Sequence, residues 1–292
     1  MTTRQIIQVE GKSLQLSNLD KILWPRLGLT KADLLDYHAR LFSLTQLHWQ
    51  GRALTVTRYP HGVEKEFFYQ KNVPPSSPSW VATHRIEGTN YVVAGDLATI
   101  SWLANSAAIE FHPSTFVISR PKVPSYAIID LDPTDPQGFA EAVQIGKYCR
   151  DILGEMGLRG YPKLSGATGI HIYIPLQGRY DFSITAQLIR VIGLTLQRLY
   201  PNKVTLERLI KNRHGVYVDY MQNHPSKTIV GVYSPRPTSE ATVSTPVRWA
   251  DLDYYEPRDF TLRTVPDWVK EKGDLFEPVL TRPQSLEHLR FF

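Results

Sequence analysis

The sequence predicts an α+β protein in which a regular β-α-β-β-α-β unit follows an N-terminal α/β lobe. Three observations carry this prediction. Strand and helix patterns alternate in that order between residues 125 and 221, apolar and polar residues alternate within those strands, and the segment before residue 115 does not repeat the order. The chain has 292 residues, enough for one large domain or two closely packed lobes. We expect one joined body, because no flexible stretch separates the halves.

The N-terminal lobe is predicted to mix helices and strands. Its first helix pattern starts after Thr30, which can cap the helix together with Asp33, and runs to about Leu47. The other elements predicted here are strands over 53–59, 66–70 and 91–94 and a helix that is capped by Asp96 and runs to about Ala107.

The second half is more regular. The predicted elements are a strand over 125–132, a helix over 137–156, strands over 161–165 and 170–175, a helix over 183–200 and a strand over 216–221. This order is ferredoxin-like, and in that topology the first strand lies between the third and the fourth. Ile170, Ile172 and Ile174 share one face of the third strand, and His171 and Tyr173 share the other. Each strand thus has an apolar side for the helices and a polar, aromatic side left open.

Three aspartates are predicted to lie on that open face. Asp130 and Asp132 are two residues apart on the first strand, so their side chains project the same way. Asp219 on the fourth strand can join them, flanked by His171 from the third. Carboxylates this close repel, and a bound divalent cation removes that cost. The set suits two-metal phosphoryl transfer, although a half-solvated sheet with scattered polar residues is the alternative.

The loop between the second and third strands is a second candidate. Glycines in Ser165-Gly-Ala-Thr-Gly169 let the backbone approach a phosphate, and the Ser165 hydroxyl can donate to a phosphate oxygen. Taken alone, the pattern is more typical of a plain turn. His171 can be a core histidine or, on the polar face, a donor to a triphosphate or sugar.

Basic and aromatic residues supply further candidates. Phe67 and Phe68 are neighbours on a predicted strand and face opposite ways, so at least one is expected in the core while the other is able to stack on a base. Basic residues lie before and after the fourth strand. They are either solvated surface charges or a group that holds polyphosphate or a nucleic-acid backbone: Arg208, Lys211, Arg213, His214, Lys227 and Arg236.

Composition limits the function classes. The net charge of +5 and pI of about 9.1 are compatible with a polyanionic partner and equally with an ordinary protein that has a small positive excess. Cys149 is the only cysteine, which excludes intramolecular disulfides and cysteine-rich zinc sites and fits a reducing cytoplasm. The N-terminus lacks the apolar segment of a signal peptide, and no apolar run approaches membrane-spanning length. We therefore expect a cytoplasmic protein.

Between about Gly11 and Leu280 the chain closely resembles the polymerase domain of bacterial ligase D, a member of the archaeo-eukaryotic primase superfamily that works in non-homologous end joining. The resemblance rests on motifs that occur in the same order: Asn18-Leu-Asp-Lys21 with Lys31, Trp102-Leu-Ala followed by Glu110-Phe-His112-Pro, Asp130-Leu-Asp132-Pro, Ser165-Gly-x-x-Gly-x-His171, Asp219-Tyr-Met-Gln-Asn223, and Tyr233-Ser-Pro-Arg236 leading to Val243-Ser-Thr-Pro246.

The resemblance implies an RRM-like primase-polymerase palm, placed at about 116–250 between an N-terminal lobe (about 1–115) and a C-terminal extension (251–292), together forming a single domain. It implies template-directed gap filling and primer extension with Mn²⁺ or Mg²⁺, two ions, and a preference for ribonucleotides. The implied roles are metal binding by Asp130, Asp132 and Asp219, nucleotide binding by His112, Ser165, His171 and Arg236, binding of the DNA 5′-phosphate by Asn18, Lys21 and Lys31, and template stacking by Phe67 or Phe68.

Some features depart from the family pattern. Thr168 and Thr57 stand where many members have a basic residue, which affects the expected phosphate contacts. No Lys-x-Asp-Gly adenylation motif is present, so the chain is expected to act as a stand-alone polymerase beside Ku and a separate DNA ligase. Two other functions stay open on the residues alone: a metal-dependent nuclease or phosphodiesterase, and a non-catalytic nucleic-acid-binding module.

Overall fold

The computed structural model describes residues 4–134 and 138–289, which cluster into two compact units. Unit 1 comprises Met1–Ser114, Thr228–Ser244 and Arg258–Gly273, and unit 2 comprises Thr115–Lys227, Thr245–Pro257 and Asp274–Phe292. This clustering differs from the sequence division. Residues 228–244, assigned to the palm from sequence, belong to unit 1, and the expected C-terminal extension is shared between the units. A single domain stays a prediction.

Unit 1 begins with strands and two helices. In chain order these are β1 (Arg4–Val9), β2 (Lys12–Ser17), β3 (Ile22–Trp24), β4 (Leu29–Thr30), α1 (Lys31–Trp49), β5 (Ala53–Arg58), β6 (Phe68–Gln70), β7 (Thr83–Ile86), β8 (Thr89–Val93), α2 (Leu97–Asn105) and β9 (Ala108–Pro113). Thr30 and Asp33 form the predicted capping box of α1. The short strands β1 to β4, which pair as two small sheets, were not predicted.

The main sheet of unit 1 has β5 at its centre. The strand order is β6-β5-β8-β7, and β9 also pairs with β5 in an antiparallel register. Helix α1 packs on this sheet through aromatic side chains, with the rings of Trp49 and Phe111 stacked at 5.4 Å between centroids. This core fixes β9, which carries two of the residues described below.

The remaining elements follow Thr115. They are β10 (Tyr126–Pro133), α3 (Phe139–Glu155), β11 (Tyr161–Leu164), β12 (Ile170–Pro175), α4 (Phe182–Leu199), β13 (Val204–Thr205), β14 (Val216–Val218), α5 (Val265–Lys272) and α6 (Glu277–Thr281). Helix α5 belongs to unit 1 and the others to unit 2.

The sheet of unit 2 has the order β11-β12-β10-β14-β13, so the predicted ferredoxin-like topology is confirmed, with β10 between β12 and β14. Strand β13, which pairs parallel to β14, was not predicted. Helices α3 and α4 cover the apolar face: Gly146 of α3 lies near Leu131 and Ile170, and Gly193 of α4 near Val218. The opposite, polar face carries the acidic residues.

The prediction of a last strand over 216–221 is wrong at its C-terminal end. Strand β14 ends at Val218, and Tyr220–Gln222 form a 3-10 turn with Asp219 as the N-cap. The Asp219 carboxylate accepts a hydrogen bond from the Met221 amide, which competes with continued pairing along β10.

Among the helices of the described residues, none has the length and apolar character needed to cross a membrane.

Candidate active site

The polar face of the unit 2 sheet brings two of the predicted acids together. Asp130 of β10 pairs directly with His171 of β12, and Asp132 of β10 pairs with Tyr217 of β14. Directly opposed residues in antiparallel strands project to the same face. Asp130, Asp132, His171 and Tyr217 therefore share one side of the sheet, as the strand period predicts, and we call this side the acid strip.

Asp219 joins the acid strip although it lies outside β14. Its amide donates to the Asp130 carbonyl at 3.0 Å, which extends the β10–β14 register by one pair and sets Asp219 opposite Asp130. Side chains of such pairs have Cβ atoms roughly 4.5–5.5 Å apart. The third acid is thus positioned beside the first by backbone pairing.

The Asp219 carboxylate is oriented by its own neighbours. Its Oδ1 accepts from the Tyr217 hydroxyl at 3.1 Å and from the Met221 amide at 3.0 Å. Burial and the negative charge of Asp219 raise the pKa of Tyr217 to about 12, so this phenol stays protonated and donates.

His171 of the acid strip lies between Asp130 and a buried lysine, Lys163. His171 Nε2 lies 3.3 Å from Asp130 Oδ1, and His171 Nδ1 lies 2.8 Å from Lys163 Nζ. Lys163 is fully buried and pairs with His171 across the β11–β12 hairpin. The sequence did not lead us to predict a role for Lys163. The alternation Lys163-Leu164-Ser165 is the signal that would have put it on the polar face.

The loop that follows β11 is held against β10. Ser165 Oγ accepts hydrogen bonds from the amides of Ala167 and Gly169, each at 3.1 Å. A Cβ atom at Gly169 would lie 2.4 Å from the Leu131 carbonyl oxygen and 3.2 Å from Asp132 Oδ1, so only glycine allows this approach. The Ser165 oxygen thus organises the loop, and its O–H is the group that can donate to a ligand.

The donor chemistry of the acid strip fits a divalent metal ion. Carboxylate oxygens are the ligands that Mg²⁺ and Mn²⁺ prefer, and backbone pairing gathers three such groups. In the described conformation, however, the Asp219 carboxylate bonds to its own 3-10 turn. No three His, Cys, Asp or Glu side chains of residues 4–134 and 138–289 are grouped so as to hold an ion. Metal binding here stays a prediction.

Unit 1 holds a second group of predicted residues. Glu110 and His112 lie two residues apart on β9, and Glu110 Oε1 lies 3.1 Å from Arg236 Nε. His112 Nε2 lies 3.2 Å from Thr57 Oγ1 and 3.8 Å from Glu110 Oε2. Burial acts to raise the pKa of Glu110, but the nearby His112 ring and the Arg236 charge outweigh it, and the net shift is downward. We call Glu110, His112 and Arg236 the arginine cluster.

The arginine cluster includes a residue that sequence reasoning missed. His112 and Arg236 were predicted to bind nucleotide, whereas Glu110, which contacts both, was only part of a family motif and had no predicted role. Its spacing of two from His112 on a strand was the available signal.

The residues predicted to bind a DNA 5′-phosphate lie together in unit 1. The Lys21 amide donates to the Asn18 carbonyl at 3.1 Å, and the Lys31 amide donates to the Lys21 carbonyl at 2.9 Å. Lys31 Nζ donates to the Ser17 carbonyl. Burial and the nearby charges of Lys21 and Arg58 lower the pKa of Lys31 to about 8. Positive charge is concentrated around Lys21, Lys31 and Arg58, and a bound anion would reduce the repulsion between these side chains.

The two predicted stacking residues are both on the surface. Phe67 is 52% exposed and Phe68 is 45% exposed, so the expectation that at least one is in the core is wrong. Phe67 precedes β6, and its ring stacks on Tyr59 at 5.2 Å between centroids. The Arg58 guanidinium lies 5.2 Å from the Phe68 ring centre. Neighbouring exposed rings are unusual outside binding surfaces.

Comparison with known proteins gives one consistent result. Residues 30–276 match the family model described as LigD, primase-polymerase domain. The chain is 36% identical over 275 residues to the bifunctional non-homologous end joining protein LigD of Bacillus subtilis, covering 93% of this chain and 45% of that protein. It is 32% identical over 275 residues to the multifunctional non-homologous end joining DNA repair protein LigD of Mycobacterium tuberculosis, covering 90% and 36%.

A solved structure agrees with these relatives. The polymerase domain from Mycobacterium tuberculosis ligase D in complex with DNA superposes with a TM-score of 0.85 at 30% identity, covering 93% of this chain and 99% of that one. The chain spans less than half the length of the two curated LigD relatives it matches.

Proposed function

This chain belongs to the family of LigD primase-polymerase domains, and on that basis we propose that it is a template-directed nucleotidyltransferase that fills gaps and extends primers at double-strand breaks. The observation that carries the proposal is the register of the acid strip. Asp130 and Asp132 share a face, and the hydrogen bond from the Asp219 amide to the Asp130 carbonyl sets the third acid beside them.

Asp130, Asp132 and Asp219 are the residues that would hold two Mn²⁺ or Mg²⁺ ions. Ions bound there would lower the pKa of a primer 3′-hydroxyl and neutralise the charge that develops on the leaving pyrophosphate. The protein's own contribution is positioning, because phosphoryl transfer needs the attacking and leaving oxygens in line.

We assign the incoming NTP or dNTP to His112, Arg236, Ser165 and His171. Within unit 1, Glu110 holds the Nε side of the Arg236 guanidinium, and an arginine has five N–H donors, so others can bind a phosphate. Within unit 2, the Ser165 hydroxyl is held by the Gly169 amide, and the His171 ring is held by its contact with Lys163. Prearranged donors lose little entropy when a triphosphate binds.

The proposed DNA substrate is a gap or break with a 5′-phosphate. Lys21, Lys31 and Asn18 are assigned to that phosphate, and Phe67 and Phe68 to stacking on template bases. The similar polymerase domain of Mycobacterium tuberculosis ligase D was solved in complex with DNA, which supports DNA as the class of substrate. Ku and a separate DNA ligase are the proposed partners, with the nucleoid as the site of action.

The decisive experiment is extension of a labelled primer in a gapped, 5′-phosphorylated duplex. Each of the four ribonucleotides and deoxyribonucleotides is supplied singly, with Mn²⁺, with Mg²⁺ and with a chelator. We expect template-directed lengthening that the chelator abolishes, with ribonucleotides incorporated more efficiently. Metal-dependent shortening of the labelled strand would instead establish a nuclease, and DNA binding with no change of length would establish a binding module.

A further inference from the structure

Strand β1 has an edge that no other strand of the described residues covers. It pairs with β2 on one side only, in a two-stranded antiparallel sheet of unit 1. Its side chains are exposed or half-buried along the whole strand, and Ile6, at 69% exposure, is the most exposed large apolar side chain described in unit 1. An uncovered strand edge is a template for pairing with another chain, and folded proteins usually protect such edges.

The register of the β1–β2 hairpin shows which backbone groups of β1 point outward. Val9 and Lys12 flank a two-residue turn and are directly paired, so they exchange hydrogen bonds with each other. From there, hydrogen-bonded and non-hydrogen-bonded pairs alternate along the strand. The residues of β1 whose N–H and C=O groups point away from β2 are therefore Arg4, Ile6 and Gln8.

The opposite edge of the hairpin is protected by a side chain. Asn105, the last residue of α2, accepts a hydrogen bond from the Ser17 amide at 3.1 Å and donates one to the Gln15 carbonyl at 3.0 Å. Both β2 residues are paired with outward-facing residues of β1, which agrees with the alternation. Within residues 4–134 and 138–289, the outward-facing backbone groups of β1 have no comparable partner.

A second copy of β1 fits this edge in one register. In an antiparallel pair, outward-facing residues meet outward-facing residues, and two identical strands pair about a two-fold axis. With the axis at Ile6, every outward-facing residue of each copy has a partner: Ile6 pairs with Ile6, and Arg4 pairs with Gln8. Moving the axis to either neighbouring residue leaves one outward-facing residue of each copy without a partner in the strand.

The side chains favour the same register. Directly opposed residues of an antiparallel pair share a face, so the exposed Ile6 side chains of two copies would cover each other. Arg4 is the one charged residue of β1; it would lie opposite the neutral Gln8 and diagonally next to Glu10, which has the opposite charge. No like charges are opposed. Pairing of two short strands buries little area, so the dimer is weak and its population depends on concentration.

We propose that two copies of this chain associate through β1, joining their hairpins into a four-stranded antiparallel sheet across a two-fold axis. Each outward-facing residue exchanges two hydrogen bonds with its partner in the other copy. The association does not depend on the proposed polymerase function and needs no DNA.

Analytical ultracentrifugation of the chain without DNA, from micromolar to near-millimolar concentration, tests the proposal. We expect the wild type to shift from monomer towards dimer as the concentration rises. Ile6→Lys and Ile6→Glu each place like charges opposite each other, and each is expected to stay monomeric. An equal mixture of these two variants places opposite charges against each other and is expected to recover the dimer. Leu47→Lys, at a 58% exposed leucine of the same unit, is the matched control and should dimerise as the wild type does.

Three results overturn the proposal: a wild type that stays monomeric at every concentration, an Ile6→Lys variant that dimerises as strongly as the wild type, or a mixture that stays monomeric. A monomeric wild type that instead binds an extended peptide would assign the edge to a different protein. Because Ile6 and Leu47 are exposed, all three variants should keep the unfolding midpoint of the wild type, which circular dichroism measures.

Discussion

The acid strip of unit 2 and the arginine cluster of unit 1 are assembled by different forces. In the arginine cluster, the charge of Glu110 is balanced by Arg236 at 3.1 Å, so attraction between side chains helps to form it. In the acid strip, Asp130, Asp132 and Asp219 repel one another and are brought together by strand register. A cluster of opposite charges is therefore held in part by its own ion pair, whereas a cluster of like charges depends on the backbone to keep its members close.

Removing an acid is the most severe test of this contrast. Asp130→Ala and Asp219→Ala are each expected to abolish primer extension, because the acid strip then lacks a carboxylate for which no neighbour substitutes. Binding of gapped DNA, measured by fluorescence anisotropy, should stay close to wild type.

Asp253→Ala is the control for these variants, since Asp253 is an aspartate of the same unit whose partner is Lys147 at the surface. It is expected to extend primers normally. An Asp130→Ala protein that extends at the wild-type rate would show that the acid strip is not the catalytic centre.

The next largest effect is expected in the arginine cluster. Arg236→Ala leaves Glu110 buried without its cation. We expect a decrease of about 2–3 kcal/mol in the free energy of unfolding, less than for a fully buried pair because Arg236 is partly exposed. Denaturant unfolding measures the decrease, and nucleotide affinity should fall as well.

The double variant Glu110→Gln/Arg236→Ala makes the test more specific. If the cost comes from the uncompensated carboxylate, neutralising Glu110 should recover part of the stability but none of the nucleotide affinity. A double variant less stable than Arg236→Ala would mean that the ion pair is not what holds the cluster.

A smaller effect is expected at the exposed aromatic residues. Phe68→Ala should weaken binding to a single-stranded template overhang by roughly 1–2 kcal/mol, within the range for removal of one base–aromatic stack. The unfolding midpoint should hardly change, because the ring is 45% exposed. Tyr254→Ala, at a 79% exposed ring of unit 2, is the matched control and should leave overhang binding unchanged. Equal weakening by the two variants would argue against template stacking.

The weakest effect concerns pH. Because the pKa of Lys31 is lowered to about 8, its charge is present at pH 7 and largely absent at pH 9. The preference for 5′-phosphorylated over unphosphorylated gaps should therefore fall several-fold between these values. The salt slope should decrease by about 0.9, because one phosphate is no longer neutralised by the protein. Anisotropy titrations at several salt concentrations measure both quantities.

Lys31→Arg is the control for the pH effect, because arginine keeps its charge over this range. It should retain the 5′-phosphate preference at pH 9. A preference that falls equally in wild type and in Lys31→Arg would assign the pH dependence to another group. In the protein without DNA, the lowered pKa of Lys31 makes the free energy of unfolding increase with pH. Between about pH 8 and the unfolded value of 10.5, the unfolded chain holds the Lys31 proton and the folded chain has lost it, so raising the pH favours the folded state.

The order of the unit 2 elements, and the face on which Asp130, Asp132 and His171 lie, could be predicted from the chain alone. Both follow from the period of a strand and from the alternation of apolar residues, which are local properties. The capping box of α1 was predictable for the same reason, since Thr30 and Asp33 are three residues apart.

The tertiary structure alone decided two other features: the residue at which strand β14 ends, and which side chains are buried. Asp219 ends β14 because its side chain caps a 3-10 turn while its amide still bonds to β10. Lys163 lies inside because a neighbouring strand supplies His171, and Glu110 meets Arg236 from a distant part of the chain. Phe67 and Phe68 stay outside because no element covers them completely. Burial and partner choice depend on contacts between residues far apart in sequence, which local periodicity does not encode.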